Sequence, residues 1–136
     1  MPKIILDTNI VVSALLRRSY PHYIVRDVLG GNMELCLSKE LRQEYSDVLA
    51  RPKFARYPGF VQNAAILLNR LAGIAAFYEP SVRLELIRDA SDNKLLELAA
   101  ASGADFLVTG NTNDFTMSAY LRTRILSPRE FYLRSL

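Results

Sequence analysis

Two acidic side chains follow apolar runs at the points where β-strands are expected to end. Asp7 directly follows the apolar residues 4–6, and Asp114 lies with Asn111 in the polar loop that follows the apolar residues 106–108. An acid is costly to place beside a buried strand, and ligands of parallel sheets collect at the carboxyl ends of the strands. Asp7 and the Asn111 loop are therefore candidate site residues, although the loop alone could be a simple turn.

Two further acids lie on segments with helical periodicity. Glu44 comes three residues after Leu41, which places it beside the apolar stripe of its helix, and Asp92 stands at the expected start of a later helix. Each acid also has a simpler explanation. A helical glutamate is usually a surface residue, Asp92 could serve as an N-cap with Asp89 in the approach loop, and Asp7 could cap the helix after it.

Together these acids predict more than each one alone. Acids at two strand ends, on one helix flank and at one helix start could meet in a single pocket. Clustered carboxylates repel each other unless they are protonated or hold a cation, and oxygen ligands favour hard ions such as Mg²⁺ or Mn²⁺. Such an ion activates water and stabilises the charge of the transition state in phosphodiester hydrolysis. Metal-dependent phosphodiester hydrolysis is therefore the leading chemistry.

The elements that must position these acids alternate along the chain. The predicted strands are Lys3 to Leu6, Glu34 to Leu37, Ala75 to Tyr78, Asp105 to Val108 and Arg124 to Leu126. The predicted helices run from Asn9 to Arg17, from His22 to Leu29, from Phe60 to Ala72 and from Asn93 to Ser102. Another helix is predicted to begin after its N-cap Ser38 and to end before Pro52, and a last one begins near Pro128. The stretch from Arg51 to Gly59 is predicted to be a loop. This alternation predicts a three-layer α/β domain with a mainly parallel sheet.

Composition limits the class of protein. The 136 residues are 50% hydrophobic and 23% charged, which suits one globular domain spanning residues 1–136. The single Cys36 and the single His22 cannot form a zinc cluster, and we expect Cys36 to be a buried apolar residue. Without a signal peptide or an apolar run near the roughly 20 residues that span a bilayer, a cytoplasmic protein with no membrane contact is expected. The net charge of +3 is compatible with a polyanionic partner.

Taken in order, the motifs resemble those of a PIN domain, and in particular the VapC-like toxin components of bacterial toxin-antitoxin systems. The resemblance covers nearly the whole chain. The matching pieces are Ile4-Ile5-Leu6-Asp7-Thr8-Asn9 with Ser13-Ala14-Leu15-Leu16; Leu37-Ser38 with Glu44-Tyr45 and 48–54; Arg88-Asp89 with Asp92-Asn93-Lys94; and Leu107-Val108-Thr109-Gly110-Asn111 with Asp114-Phe115.

This resemblance implies an α/β/α sandwich with a Mg²⁺- or Mn²⁺-dependent ribonuclease site. The residues that it implies for catalysis are Asp7, Glu44, Asp92, Asn111 and Asp114, and those for metal binding are Asp7, Asp92 and Asp114. Thr109 would complete the site. Many PIN domains have Asp at the position of Asn111, and relatives with Asn there often keep a nearby Asp, which is Asp114 in this chain.

The resemblance also implies partners, namely an RNA substrate, a small antitoxin protein and a second copy of the chain in a homodimer. One alternative is a PIN-fold module that binds RNA or protein but cleaves poorly, because Asn111 replaces an acid. Another is phosphoryl transfer through an aspartyl nucleophile. Haloacid-dehalogenase-like enzymes of that kind carry a second Asp two residues after the first, where this chain has Asn9.

Overall fold

The computed structural model describes residues 1–87, 90–111, 115 and 117–134. Its strands are β1 (Lys3–Leu6), β2 (Glu34–Leu37), β3 (Ala76–Phe77), β4 (Phe106–Val108), β5 (Ala119–Tyr120) and β6 (Thr123–Leu126). Its helices are α1 (Thr8–Leu16), α2 (Tyr20–Leu29), α3 (Lys39–Leu49), α4 (Pro52–Ala55), α5 (Phe60–Ile74), α6 (Ala90–Ser102) and α7 (Pro128–Leu133).

The strands form one mixed sheet in the order β3-β2-β1-β4-β6-β5. All neighbouring strands are parallel except β5, which pairs with β6 in antiparallel orientation. Strand β1 is central, and Ile4, Ile5 and Leu6 have no exposed surface, as a strand covered on both faces requires. The predicted α/β fold with a mainly parallel sheet is confirmed.

The chain changes direction across the sheet between β1 and β4. From β1 it builds outward to β2 and β3, and it then returns to place β4 on the other side of β1. The register pairs Leu6 with Val108, so the residues that follow the two strands, Asp7 and Thr109, leave the sheet side by side. This is the topological switch point at which open α/β sheets bind their ligands.

Helices cover both faces of the sheet. Helices α1, α2, α3 and α5 contact one another in one layer, which α7 joins through α2. The right-handed crossover rule places α6 on the opposite face, where it packs against β1 and β2. The hydrophobic core lies between these layers and includes the fully buried side chains Leu35, Leu37, Leu71, Leu96 and Leu107.

Most predicted elements are present, with three corrections. The stretch from Arg51 to Gly59 is not all loop, because Pro52 begins the short helix α4, where its fixed φ angle suits the first turn. The short strand β5 was missed, since two residues carry too little pattern. Helix α6 begins at Ala90, so Asp92 lies inside its first turn and is not the N-cap.

None of the helices in the described part of the chain is both long and apolar enough to cross a membrane.

Candidate functional site

Asp7 lies at the carboxyl end of the central strand β1 and is 6% exposed. Its backbone N–H donates to the Val108 carbonyl oxygen at 3.0 Å, which extends the pairing of β1 with β4 by one residue. Asp7 occupies the N-cap position of α1 without a side-chain cap hydrogen bond of full geometry. The backbone N–H groups of Asn9 and Thr8 nevertheless lower the pKa of its carboxyl group, so capping explains part of its role at this position.

Thr109 holds the Asp7 carboxylate in place from the neighbouring strand end. Its hydroxyl donates to Asp7 Oδ2 at 2.7 Å and accepts from the backbone N–H of Asn111 at 3.1 Å. Thr109 has no exposed surface, and its own N–H donates to the Leu126 carbonyl oxygen at 3.0 Å on the next strand. One hydroxyl thus connects the candidate carboxylate to the loop that begins at Asn111.

Glu44 reaches the same place from α3, and Thr8 holds it there. Thr8 directly follows Asp7, and its hydroxyl donates a hydrogen bond to Glu44 Oε2. The helix start is fixed by Ser38, whose Oγ accepts from the Leu41 N–H at 3.1 Å, as predicted for an N-cap. Glu44 is partly buried, whereas a purely solvent-facing glutamate would be exposed.

Tyr45, the neighbour of Glu44, fastens α3 to the end of β1. This tyrosine is fully buried, and its hydroxyl donates to the Leu6 carbonyl oxygen at 2.5 Å. The bond is made one residue before Asp7. Two adjacent residues of α3 therefore bond to Leu6 and Thr8, the residues on either side of Asp7, which fixes the position of Glu44 relative to Asp7.

The electrostatics of the site disfavour two bare carboxylates. Burial raises the pKa of Asp7 above its ordinary value, and the charge of Glu44 adds a smaller increase. Hydrogen bonds from the Thr109 hydroxyl and from the backbone N–H groups of Asn9 and Thr8 lower this pKa and oppose both effects. Burial also raises the pKa of Tyr45 well above its usual range, with added contributions from the charges of Asp7 and Glu44. Negative charge is thus concentrated at this point of the sheet edge, which favours binding of a cation.

Asp92 lies at the same edge of the sheet on the opposite layer. It is 4% exposed in the first turn of α6, the helix that leads into β4. Because a crossover helix runs antiparallel to the strand after it, the start of α6 lies level with the carboxyl end of β4. Asp92 is therefore placed on the side of the sheet where Asp7 and Thr109 emerge.

Two side chains of α6 hold the segment that precedes it. The Asn93 side-chain oxygen accepts from the N–H groups of Leu86 and Ile87 at 3.0 and 2.9 Å. Glu97, only 5% exposed, accepts from the Leu84 N–H at 2.8 Å and pairs with Arg83 at 3.2 Å. These contacts fix the approach to Asp92, and no motif in the sequence predicted them.

The predicted site is brought together in part. Asp7, Thr109 and Glu44 converge, while Asn111 is exposed and contacts the site through its backbone. Asp114 and Asp89 lie outside the described residues. Within the described ranges, no group of three His, Cys, Asp or Glu side chains is placed to hold a metal ion. The donor chemistry, all oxygen and strongly anionic, nevertheless fits a hard divalent cation.

Sequence reasoning missed the roles of Thr8 and Tyr45. In the sequence both residues stand out only as parts of the motifs that resemble a PIN domain. In the structure the Thr8 hydroxyl orients Glu44, and the Tyr45 hydroxyl bonds to the end of β1. The hydroxyl of Tyr45 was the available signal, because a buried tyrosine usually has a hydrogen-bond partner for its O–H group.

Comparison with known proteins supports the family that the sequence motifs resemble. A model of the PIN domain matches residues 3–113. An uncharacterized protein from Methanocaldococcus jannaschii is 23% identical over 138 residues, covering 95% of this chain and 88% of the relative. The crystal structure of VapBC2 from Rickettsia felis bound to a DNA fragment from their promoter matches with a TM-score of 0.62 and 18% identity, covering 92% of this chain and 98% of that chain. The latter similarity shows a shared fold. With the family model matching most of its length, this chain belongs to the PIN domain family, whose members are generally nucleases that use divalent metals.

Proposed function

We propose that this protein is a Mg²⁺- or Mn²⁺-dependent endoribonuclease and the toxin component of a toxin-antitoxin pair. The observation that carries the proposal is the buried carboxylate of Asp7, held by Thr109 and faced by Glu44 at the switch point of the sheet. A buried acid beside a second acid is stabilised either by protonation or by a cation that accompanies the pair, and at neutral pH a cation favours the charged form of both acids. Membership of a nuclease family supplies the reaction class.

Asp7 would hold the ion through Oδ1, because Oδ2 accepts the hydrogen bond from Thr109. Asp92 and Asp114 would be further ligands. A bound Mg²⁺ or Mn²⁺ would polarise water and neutralise the charge that develops on the phosphate. Glu44 would take a proton from the attacking water at Oε1, since Thr8 occupies Oε2. Thr8 and Thr109 would keep both carboxylates oriented, and Asn111 would contribute a neutral oxygen or orient water.

The proposed partners follow from the family resemblance. They are an RNA substrate, a small antitoxin and a second copy of the chain, and the whole of residues 1–136 would act as one domain in the cytoplasm. The structural similarity to VapBC2 from Rickettsia felis supports the choice of a toxin-antitoxin partner.

The experiment is cleavage of a labelled RNA by the purified protein with Mg²⁺, with Mn²⁺ or with EDTA. We expect cleavage only with a metal, and a loss of at least about a hundredfold in Asp7→Asn and Glu44→Gln, the scale typical for the loss of a catalytic group. Asp47→Asn is the matched control, because Asp47 is an exposed acid on α3 that bonds only to Gln43 among the residues described. Equal rates for wild type and Asp7→Asn would refute the assignment.

A second candidate function is a PIN-fold module that binds RNA or a protein partner without efficient cleavage. Asn111 favours it, since an amide carries no charge for a metal, and so does the lack of a three-acid cluster within the described residues. Calorimetry at millimolar Mn²⁺ separates the two functions. Heat of binding that disappears in Asp7→Asn supports the nuclease, whereas no heat together with no cleavage supports the binding module.

A further inference from the structure

A cavity of about 920 Å³ lies beside the candidate site, between α3, α5 and the segment that follows β3. Ser38, the residue after β2, lies in its wall, as do Phe77 at the end of β3 and Tyr78 after it. The cavity therefore opens at the carboxyl edge of the sheet, the same edge at which Asp7 emerges. Its volume suits a small ligand or one to two units of a polymer.

The cavity is adjacent to Glu44 along α3. Glu40, which lies in its wall, is four residues before Glu44 and is therefore its neighbour on the helix surface. Arg83, also in the wall, pairs with Glu40 at 3.2 Å and with Glu97 of α6 at 3.2 Å. A chain that passes from the acidic pocket along α3 would enter this cavity within one helical turn.

The α3 wall of the cavity presents positive charge. Lys39 and Arg42 are exposed, and neither forms an ion pair with any of the residues described. Arg83 is shared between Glu40 and Glu97, so this group of three keeps one negative charge, and Glu79 is a further exposed acid of the lining. Phosphates are therefore favoured on the Lys39 and Arg42 side, and the Glu79 side favours a neutral group.

An exposed aromatic ring completes the lining. Phe77 is 46% exposed although it ends a strand, and that strand, β3, is the edge of the sheet. Single-stranded nucleic acids are bound by basic side chains along the backbone and by aromatic rings on which bases stack. Basic side chains on one wall and an aromatic ring on another are the two elements that this mode of binding needs.

We propose that this cavity binds a nucleotide of single-stranded RNA next to the phosphate that is cleaved. The Phe77 ring stacks on the base, and Arg42 and Lys39 bind the backbone phosphates. This inference rests on the proposed ribonuclease function, because it assigns a subsite for the same substrate.

The test is binding of a fluorescein-labelled single-stranded 12-nucleotide RNA in EDTA, measured by anisotropy at several salt concentrations. Phe77→Ala and Arg42→Ala should each raise Kd about tenfold, and Phe77→Tyr should retain wild-type binding because it keeps a ring. Arg42→Ala should also reduce the slope of log Kd against log salt by about 0.7, the value for one lost phosphate contact on a single strand.

Two exposed residues of α5 serve as controls, since they line a separate cavity of about 500 Å³ against α2. Ile66→Ala removes an exposed apolar side chain and Arg70→Ala an exposed cation, and both should leave Kd within twofold of wild type. Circular dichroism checks the fold of each variant. The subsite is refuted if wild type does not bind the RNA, if the Phe77 and Arg42 variants bind like wild type, or if the α5 variants weaken binding equally.

The readout separates this inference from the proposed function. Binding in EDTA does not depend on cleavage, so weaker binding by the cavity variants supports the subsite even if no ribonuclease activity is found. Conversely, metal-dependent RNA cleavage combined with unchanged binding in the cavity variants would refute the subsite and leave the ribonuclease assignment standing.

Discussion

The hydroxyl of Thr109 offers a sharp test of how the candidate site is built. Thr109→Val keeps the shape of the side chain but removes the donor to Asp7 Oδ2 and the acceptor for the Asn111 N–H. A hydrogen bond to a charged group contributes about 1.5–3 kcal/mol, and a lost partner for a partly exposed N–H costs less. We therefore expect Thr109→Val to lower the free energy of unfolding by about 2–3 kcal/mol at neutral pH.

Thr109→Ser is the matched control because it keeps the hydroxyl and loses only a methyl group. That methyl is fully buried, so its loss should cost about 1 kcal/mol. Urea unfolding followed by far-UV circular dichroism and tyrosine fluorescence suits this chain, which has seven tyrosines and no tryptophan. In thermal unfolding, the valine variant should melt roughly 6–12 °C below wild type.

The pH dependence identifies the partner of the hydroxyl. Thr109 favours the charged form of Asp7, so the cost of Thr109→Val should be full above the pKa of Asp7 in the folded protein and should shrink as pH falls through it. The reasoning is refuted if the valine and serine variants unfold within about 0.5 kcal/mol of each other at neutral pH. It is equally refuted if the difference in unfolding free energy between the two variants is the same in acid as at neutral pH.

Three further predictions follow from the same geometry. Because burial raises the pKa of Asp7, protonation of Asp7 stabilises the folded protein below the pKa that Asp7 has in the unfolded chain, and this stabilisation is lost as pH rises through its pKa in the folded protein. Asp7→Asn should therefore raise the melting temperature of the metal-free protein at neutral pH. A lower melting temperature for Asp7→Asn than for wild type would contradict this. Mn²⁺ at a hundred times its Kd should stabilise wild type by about 2.7 kcal/mol and leave Asp7→Asn unchanged in thermal melts. Burial raises the pKa of Cys36 to about 11, so iodoacetamide at pH 8 should label it only after unfolding, and rapid labelling of the native protein would show that the thiol is accessible.

The sequence predicted the fold well because its strands carry strong local signals. Residues 4–6 are apolar throughout and are followed by an acid, and the structure has β1 and Asp7 where the pattern put them. Glu44 was predicted beside the apolar stripe by helical spacing alone, and its contact with Thr8 agrees with that position. Local periodicity is sufficient for such statements.

Contacts between elements distant in sequence could not be predicted in the same way. The bonds from Thr109 to Asp7 and from Tyr45 to Leu6 span 102 and 39 residues, and they depend on which strands become neighbours. The strand order was not readable from the sequence, so these partners were not either. The start of α6 was misplaced because Asp92 is a good capping residue, whereas the helix begins two residues earlier, at Ala90.

The position of Arg83 between two helical layers has a mechanical consequence. Arg83 connects Glu40 of α3 with Glu97 of α6, and the same two helices carry Glu44 and Asp92 from opposite sides of the sheet. The separation of these two acids is therefore set by the thickness of the hydrophobic layers between the helices. Truncation of a core leucine such as Leu35 would change that thickness, so the distance between Glu44 and Asp92 depends on how densely the interior is filled.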